Sequence, residues 1–225
     1  TEGFYNVAVG TYALDGNTTG DNNVAVGFHS LSANSTADNN TGCGHFTLYN
    51  NTTGSYNVAV GTYALDANTT GAQNTGLGSK ALQSNTTAGN NTAVGYAAAQ
   101  QTTTGTNNTA IGRASLIVST TGSDNTAVGM NSLAENTSGS SNTAVGNYAL
   151  DANTTGGSNC AFGKHSLSGN TTGTNNTGVG LHTLLSNTTG YSNTAIGAYA
   201  MEDATTAHKN TAVGLNALKD ITTGN

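Results

Sequence analysis

The sequence contains no proline and no tryptophan, and it carries very little charge. Charged residues make up 7% of the 225, with five Lys and Arg against eleven Asp and Glu, which gives a formal net charge of −6. Nucleic-acid binding needs clusters of basic residues, so this composition argues against a nucleic-acid partner. No apolar run approaches the roughly 18 residues of a membrane-spanning helix, so we predict no membrane span.

In place of these features the sequence has a strict repeat of 17 residues. A fixed period in this range is typical of solenoids, so we predict one β-solenoid array over residues 1–225. The sequence begins within a repeat unit, which favours a segment of a longer fibre. We number each unit from its first Asn, as position 1, and call the units coils 1 to 13. The first residues of the coils are Asn6, Asn23, Asn40, Asn57, Asn74, Asn91, Asn108, Asn125, Asn142, Asn159, Asn176, Asn193 and Asn210.

Each position of the repeat has its own residue preference. Position 2 is Thr or Val, position 3 is Ala or Gly, position 4 is aliphatic, position 5 is Gly and position 9 is Leu in most coils. Positions 12 to 14 are usually Asn-Thr-Thr. Asn, Thr and Gly also dominate disordered low-complexity chains, but apolar residues at fixed positions favour order here. Apolar residues five apart, bracketed by Gly, do not form a helical stripe.

We therefore predict an all-β fold, a parallel β-solenoid of thirteen 17-residue coils. Positions 2 to 4 are expected to form a strand, with the aliphatic residue at position 4 inward and the small residue at position 3 outward. Positions 8 and 9 are expected to form a second short strand with Leu65 and its equivalents inward. Gly61 should occupy a tight corner, and Asn57 should stack with its equivalents in an amide ladder.

Self-association is the next prediction. The core is thin, with two large apolar side chains per coil, and small residues at positions 3 and 8 would leave smooth outward strips for a second copy.

The two cysteines lie seven coils apart, or roughly 33 Å at about 4.8 Å per coil, too far for a disulfide. We interpret Cys43 and Cys160 as small hydrophobic residues in packed positions.

The run N-T-A-V-G followed by x-x-A-L, as from Asn142 to Gly156, resembles repeats of known fibrous proteins. It is similar to the S-V-A-I-G-x-x-A-x-A repeats of the YadA-like heads of trimeric autotransporter adhesins, which are left-handed parallel β-rolls packed as trimers. It resembles more closely the N-T-A-V-G-x-x-A-L-x-x-N-T-T-G repeats of phage tail fibres and related bacterial surface proteins. The resemblance covers the whole chain, whose period is longer than that of the adhesin heads. It implies a homotrimeric fibre and offers no catalytic residues.

Signals for enzymatic chemistry are poor, and we predict that the chain is not an enzyme. No nucleophile elbow, phosphate loop or paired carboxylates appear. His165 and His182 fall at the same position of adjacent coils, about 5 Å apart, but no third ligand joins them, so we expect solvated surface and no metal. Acidic residues at position 10 are too scattered for a calcium-binding roll. No cofactor is predicted.

Two surfaces are candidates for binding. Positions 6 and 7 carry many aromatic and His side chains. Exposed aromatic rings often bind sugars or protein partners, and they also pack at interfaces between copies of an oligomer. The predicted binding edge comprises Tyr12, His29, Phe46, Tyr63, Tyr148, His165, His182 and Tyr199. The Thr-Thr pairs should point one side chain inward and one outward, and a regular outward array of Thr resembles ice-binding faces of solenoid antifreeze proteins. This alternative face comprises Thr19, Thr53, Thr70, Thr87, Thr155, Thr172 and Thr189.

The leading hypothesis is a structural segment of an extracellular fibre or filament, a phage tail fibre or a surface adhesin, located outside the cell, on the cell surface or on a virion. Its main partner would be itself, as a trimer or an end-to-end filament, and its binding edge could meet a host-surface glycan or protein. The alternative is an ice-binding solenoid that uses its Thr-Thr ladder.

Overall fold

The computed structural model describes residues 2–224, which form a parallel β-solenoid of thirteen short strands. Each coil contributes one strand at positions 2 to 4, and each strand pairs in register with the strand 17 residues later. The thirteen strands form one sheet in chain order. The all-β, parallel solenoid fold is therefore confirmed. The strands are β1 Val7–Val9, β2 Val24–Val26, β3 Thr41–Cys43, β4 Val58–Val60, β5 Thr75–Leu77, β6 Thr92–Val94, β7 Thr109–Ile111, β8 Thr126–Val128, β9 Thr143–Val145, β10 Cys160–Phe162, β11 Thr177–Val179, β12 Thr194–Ile196 and β13 Thr211–Val213.

The strand side chains point in the opposite sense to the prediction. In β4 the middle residue Ala59 is fully buried, whereas Val60 is 39% exposed. The middle residue is buried in every strand from β2 to β13, so the assignment of position 4 inward and position 3 outward was wrong. The cause is a narrow interior. A Cβ atom built on Gly76 in β5 would lie 3.3 Å from Ala81 O and 3.5 Å from Leu65 Cδ1, so a single methyl group already fills the space and the further methyl groups of Val would not fit.

The rest of each coil is made of turns, and the predicted second strand at positions 8 and 9 does not exist. Positions 7 and 9 adopt positive φ in all thirteen coils, as at Tyr63 (60°) and Leu65 (52°), and position 17 does so in coils 1 to 12. This conformation costs an L-residue roughly 1–2 kcal/mol. Hydrogen bonds between coils offset the cost. The Leu65 N–H donates to Ala81 O of the next coil at 3.0 Å, and the Tyr63 N–H donates to His45 O of the preceding coil at 3.0 Å.

The apolar core is a column of Leu side chains with small residues beside it. Leu65 is fully buried, as predicted, and so is Ala64 at position 8. The expectation that positions 3 and 8 form smooth outward strips was therefore wrong, because both line the interior. Ala99 and Met201 replace Leu in this column in coils 6 and 12.

The corner at position 5 requires glycine. Gly61 has φ of 120°, a value that side chains rarely adopt. A Cβ atom there would also approach the carbonyl carbon of Gly78, in the next coil, to 2.7 Å. The predicted tight corner is confirmed, and both the backbone conformation and the close approach of the next coil exclude a larger residue.

The predicted ladder of Asn side chains at position 1 is present, and we call it the first amide ladder. Asn57 Oδ1 accepts the backbone N–H of Asn74 at 2.9 Å and its Nδ2–H at 3.2 Å. Asn57 Nδ2 donates to Gly71 O, at position 15 of its own coil, at 2.9 Å. The amide therefore ties together two coils and two sides of one coil.

A second amide ladder, at position 12, runs beside the first. Asn68 Nδ2 donates to Asn51 Oδ1 at 2.7 Å and to Gly71 O at 2.9 Å. The Gly71 carbonyl thus accepts one hydrogen bond from each ladder. Thr102, Ser119, Ala204 and Ile221 interrupt the second ladder in coils 6, 7, 12 and 13.

Candidate interaction faces

The outward side of the strands forms a face that we call the sheet face. It consists of the side chains at positions 2 and 4 and contains no charged residue in any of the thirteen strands. Position 4 is aliphatic in eleven strands and remains substantially exposed, with Ile111 at 40% and Ile196 at 41%. Position 2 is mostly Thr and half-buried. Sequence reasoning missed this face because it assigned the aliphatic residues to the interior.

Both cysteines lie on the sheet face and are free thiols. Cys43 is at position 4 of β3 and is exposed, and Cys160 is at position 2 of β10 and is half-buried. The interpretation of Cys43 as a packed residue was wrong, because position 4 points outward.

The predicted binding edge consists of two aromatic patches rather than one continuous column. The first patch lies in coils 1 to 4. Its position-7 rings stack in the order Tyr12, His29, Phe46 and Tyr63, with centroid separations of 4.7, 5.1 and 5.6 Å. The interplanar angles are 15°, 16° and 10°, so each ring covers the face of its neighbour.

Three further rings extend the first patch sideways. Phe28 and His45, at position 6, stack with centroids 5.5 Å apart. Tyr49, at position 10, meets Phe46 edge to face at 4.9 Å. Tyr49 was not predicted, because position 10 carries no consistent aromatic signal in the repeat.

The second patch lies in coils 9 to 12. Tyr148 and His165 stack at 5.1 Å, and His165 and His182 meet edge to face at 5.3 Å, close to the predicted separation. His182 meets Tyr199 edge to face at 5.5 Å. Between the two patches, coils 5 to 8 carry non-aromatic residues at position 7, namely Lys80, Ala97, Ala114 and Asn131.

Charged groups border the second patch. Glu202 Oε2 pairs with Lys219 Nζ at 2.9 Å, and Glu202 Oε1 lies 3.5 Å from His182 Nδ1. The hydrogen bond from Lys219 lowers the pKa of Glu202. Burial lowers the pKa of His165, and the neighbouring His182 lowers it further.

The two residues of each Thr-Thr pair have different roles. At position 13, Thr52 Oγ1 donates to Thr69 O of the next coil at 3.0 Å, and equivalent bonds recur along the array. At position 14 every side chain is exposed, including the seven predicted Thr residues. Within residues 2–224, no hydroxyl at position 14 hydrogen-bonds to another protein group. We call this column, twelve Thr and Ser138, the threonine face.

The part of the chain that the structure describes offers no candidate metal site. His, Cys, Asp and Glu do not cluster there in groups of three or more that could hold an ion. Nor does that part of the chain contain a helix of the length and apolarity that crossing a bilayer requires.

Comparisons with known proteins do not assign the chain to a family. No family profile matches the chain, and no match was found among curated proteins or solved structures.

Proposed function

We propose that the chain is a structural segment of an extracellular fibre or filament, and that copies of the chain join through the sheet face. The observation that carries this proposal is the apolar column at position 4, which is exposed or half-buried and continues through thirteen coils without a charge. Contiguous exposed apolar surface of this length is unusual for a monomer and typical of an interaction site.

The size of the sheet face supports a stable contact. Thirteen strands at about 4.8 Å spacing and three residues at about 3.3 Å each give a footprint of roughly 60 Å by 10 Å, or about 600 Å². A standard protein interface buries about 800 Å² on each partner. Side chains that flank the sheet would supply the remainder.

Charges beside the sheet face favour parallel copies. The flank that follows the strands, at position 6, carries Arg113 and Lys164 and no acidic residue. The flank that precedes them, at positions 16 and 17, carries Asp21, Asp38 and Asp124 against Lys209. Rotation about an axis along the solenoid brings the basic flank of one copy against the acidic flank of the next. In register, Arg113 would face Asp124 of the neighbouring copy, since both lie in coil 7, whereas in antiparallel copies Arg113 would face Arg113 and Asp124 would face Asp124.

We propose three copies because the repeat resembles the repeats of trimeric fibres. Three sheet faces around one axis would cover all the aliphatic columns at once and leave the aromatic patches and the threonine face outside or at the seam. A surface or virion location follows from the same resemblance.

Charge placed on the sheet face should separate the copies. The double substitution Ile111→Lys with Ile196→Lys puts two cations into the proposed contact, and we expect the mass by light scattering to fall to the 22.3 kDa of one chain. The matched control, Thr104→Lys with Thr189→Lys, places the same charges on the threonine face and should leave the assembly intact. Equal behaviour of the two variants would contradict the sheet face as the contact.

The two thiols on the sheet face report the orientation of the copies. Mild oxidation of a parallel, in-register assembly should link Cys43 to Cys43 and Cys160 to Cys160 of neighbouring copies. Mass spectrometry of the peptides should find no mixed Cys43–Cys160 bridge. A mixed bridge as the main product would contradict parallel packing.

We further propose that the aromatic patches present a binding edge to a host-surface glycan or protein. Tyr12 and Phe28 are exposed and support this role, but the other position-7 rings of the first patch are half-buried and cover one another's faces, so a sugar could reach only ring edges and the ends of the stack. Tyr12→Ala should lower the signal on a glycan array, whereas Tyr96→Ala, at an isolated exposed ring in coil 6, should not. Identical signals for both variants and the unmodified chain would count against the edge.

An ice-binding role is the second proposal, supported by the threonine face. Its hydroxyls are exposed, unbonded to protein within residues 2–224, and repeat at the coil spacing of about 4.8 Å. Thr87→Tyr, in the middle of this face, should abolish thermal hysteresis. The control Thr109→Tyr, on the sheet face, should leave it unchanged. An unmodified chain without hysteresis would exclude this role.

A further inference from the structure

The interruption of the second amide ladder in coils 6 and 7 leaves polar atoms buried and unpartnered. Asn85 Oδ1, Thr102 Oγ1 and Ser119 Oγ are all buried without a hydrogen-bond partner. They belong to position 12 of three consecutive coils, and the three residues are fully buried. Buried polar atoms in folded proteins are nearly always hydrogen-bonded. A small polar molecule beside this cluster would supply the missing hydrogen bonds.

An uninterrupted coil shows what coils 6 and 7 lack. In coil 10, Asn170 Nδ2 donates to Asn153 Oδ1 in the preceding coil at 2.8 Å and to Gly173 O in its own coil at 3.1 Å. Thr and Ser have no atom equivalent to this nitrogen, because their side chains end at the hydroxyl. The same two acceptors in coil 6 are Asn85 Oδ1 and Gly105 O.

The carbonyls at position 15 show the same deficit. In an uninterrupted coil this carbonyl accepts one side-chain amide from each ladder. Gly105 O accepts only Asn91 Nδ2, at 2.9 Å, and Gly122 O accepts only Asn108 Nδ2, at 2.9 Å, among the side chains that the structure describes. Each of the two coils therefore offers a carbonyl with a free lone pair beside a buried hydroxyl.

We propose that coils 6 and 7 each bind one buried water molecule in place of the missing amide nitrogen. In coil 6 the water would donate to Asn85 Oδ1 and Gly105 O and accept from the Thr102 hydroxyl. In coil 7 the second water would donate to Gly122 O and Thr102 Oγ1 and accept from the Ser119 hydroxyl. Each water has three polar partners, the usual number for a buried water.

The other internal interruption of the ladder provides a contrast. At coil 12, Ala204 leaves Asn187 Oδ1 unpartnered. The Ala side chain has no hydroxyl, so a water there would have only Asn187 Oδ1 and Ala207 O as partners. The proposal therefore places water at coils 6 and 7 and not at coil 12.

Magnetic relaxation dispersion of water oxygen-17 counts long-lived buried waters and tests the proposal on the full chain. Thr102→Asn with Ser119→Asn restores the amide nitrogens, so the count should fall by two relative to the unmodified chain. The control Ala204→Asn adds the same group at coil 12 and should leave the count unchanged. An unchanged count in the double variant would overturn the proposal, whatever its stability.

A second measurement covers the case in which the double variant does not fold. A high-resolution crystal structure of the unmodified chain should show a water within hydrogen-bond distance of Asn85 Oδ1, Thr102 Oγ1 and Gly105 O. Direct contact between Thr102 Oγ1 and Asn85 Oδ1, with no water between them, would overturn the proposal.

Discussion

The two amide ladders share one interior and one residue type, yet they differ in how much replacement they tolerate. Position 1 is Asn in all thirteen coils, whereas position 12 is Thr, Ser, Ala or Ile in four. Both ladders donate to the same carbonyl at position 15, as at Gly156. The difference therefore lies in what each Oδ1 accepts.

In the first ladder, Oδ1 accepts a backbone N–H. Asn142 Oδ1 accepts the Asn159 backbone N–H at 3.0 Å, and the same bond recurs at every step of the ladder. In the second ladder, Oδ1 accepts a side-chain amide, as when Asn170 Nδ2 donates to Asn153 Oδ1 at 2.8 Å. A side chain can rotate or be replaced, but a buried backbone donor cannot. The array therefore keeps the Asn whose Oδ1 satisfies a backbone N–H and varies the Asn whose Oδ1 accepts only another side chain.

The largest effect is expected from Asn142→Ala, which removes one step of the first ladder. The buried N–H of Asn159 loses its acceptor, and an unsatisfied buried group costs about 1–3 kcal/mol, so we expect a loss near the upper end, about 3 kcal/mol. Urea unfolding at fixed chain concentration measures it.

Asn153→Ala, in the same coil, should have a smaller effect. It removes a side chain that is also fully buried and donates to the same Gly156 carbonyl, but it leaves the backbone donors satisfied. Besides Gly156 O, only side-chain atoms, Asn136 Oδ1 and Asn170 Nδ2, lose a partner, so we expect a loss near the lower end of the range for an unsatisfied buried group, about 1 kcal/mol. If this variant loses as much as Asn142→Ala in the same urea experiment, the explanation by backbone donors is wrong.

The smallest effect is expected from Ala204→Asn, which extends the second ladder by one step. Its amide would reach Asn187 Oδ1 and Ala207 O, but the unpaired Oδ1 would then move to residue 204, because Ile221 follows at position 12 of the next coil. We expect a gain of only about 0.5 kcal/mol in the free energy of unfolding, the lower end for a net hydrogen bond. Destabilisation would show that coil 12 has no room for the amide.

The repeat made much of this fold predictable. A period without insertions indicated a solenoid, invariant Gly61 indicated a strained corner, and recurrent Leu65 and Asn57 indicated inner columns. Alternation along a strand shows which residues share a side but not which side faces the interior. Whether Ala59 or Val60 points inward therefore depended on the width of the interior. The preference for burying the larger side chain then led to the wrong choice. An exposed apolar face has the same sequence signal as a core.

Other features had no signal in the sequence. Positive φ at Leu65 and Tyr63 could not be foreseen, because neither residue type favours it. It exists because stacked coils supply hydrogen bonds to both turns. The two aromatic patches were predicted in composition but not in arrangement, since face-to-face stacking depends on the coil spacing and on how the ring at position 7 leaves the backbone.

The mass of the unmodified chain in solution tests the central claim most directly, because the proposed fibre segment depends on copies joined through the sheet face. Light scattering across a range of concentrations should give a mass near three chains, each of 22.3 kDa, or a larger rod built from such units. A monodisperse species of one chain at every concentration would contradict the proposal and leave the sheet face without its partner.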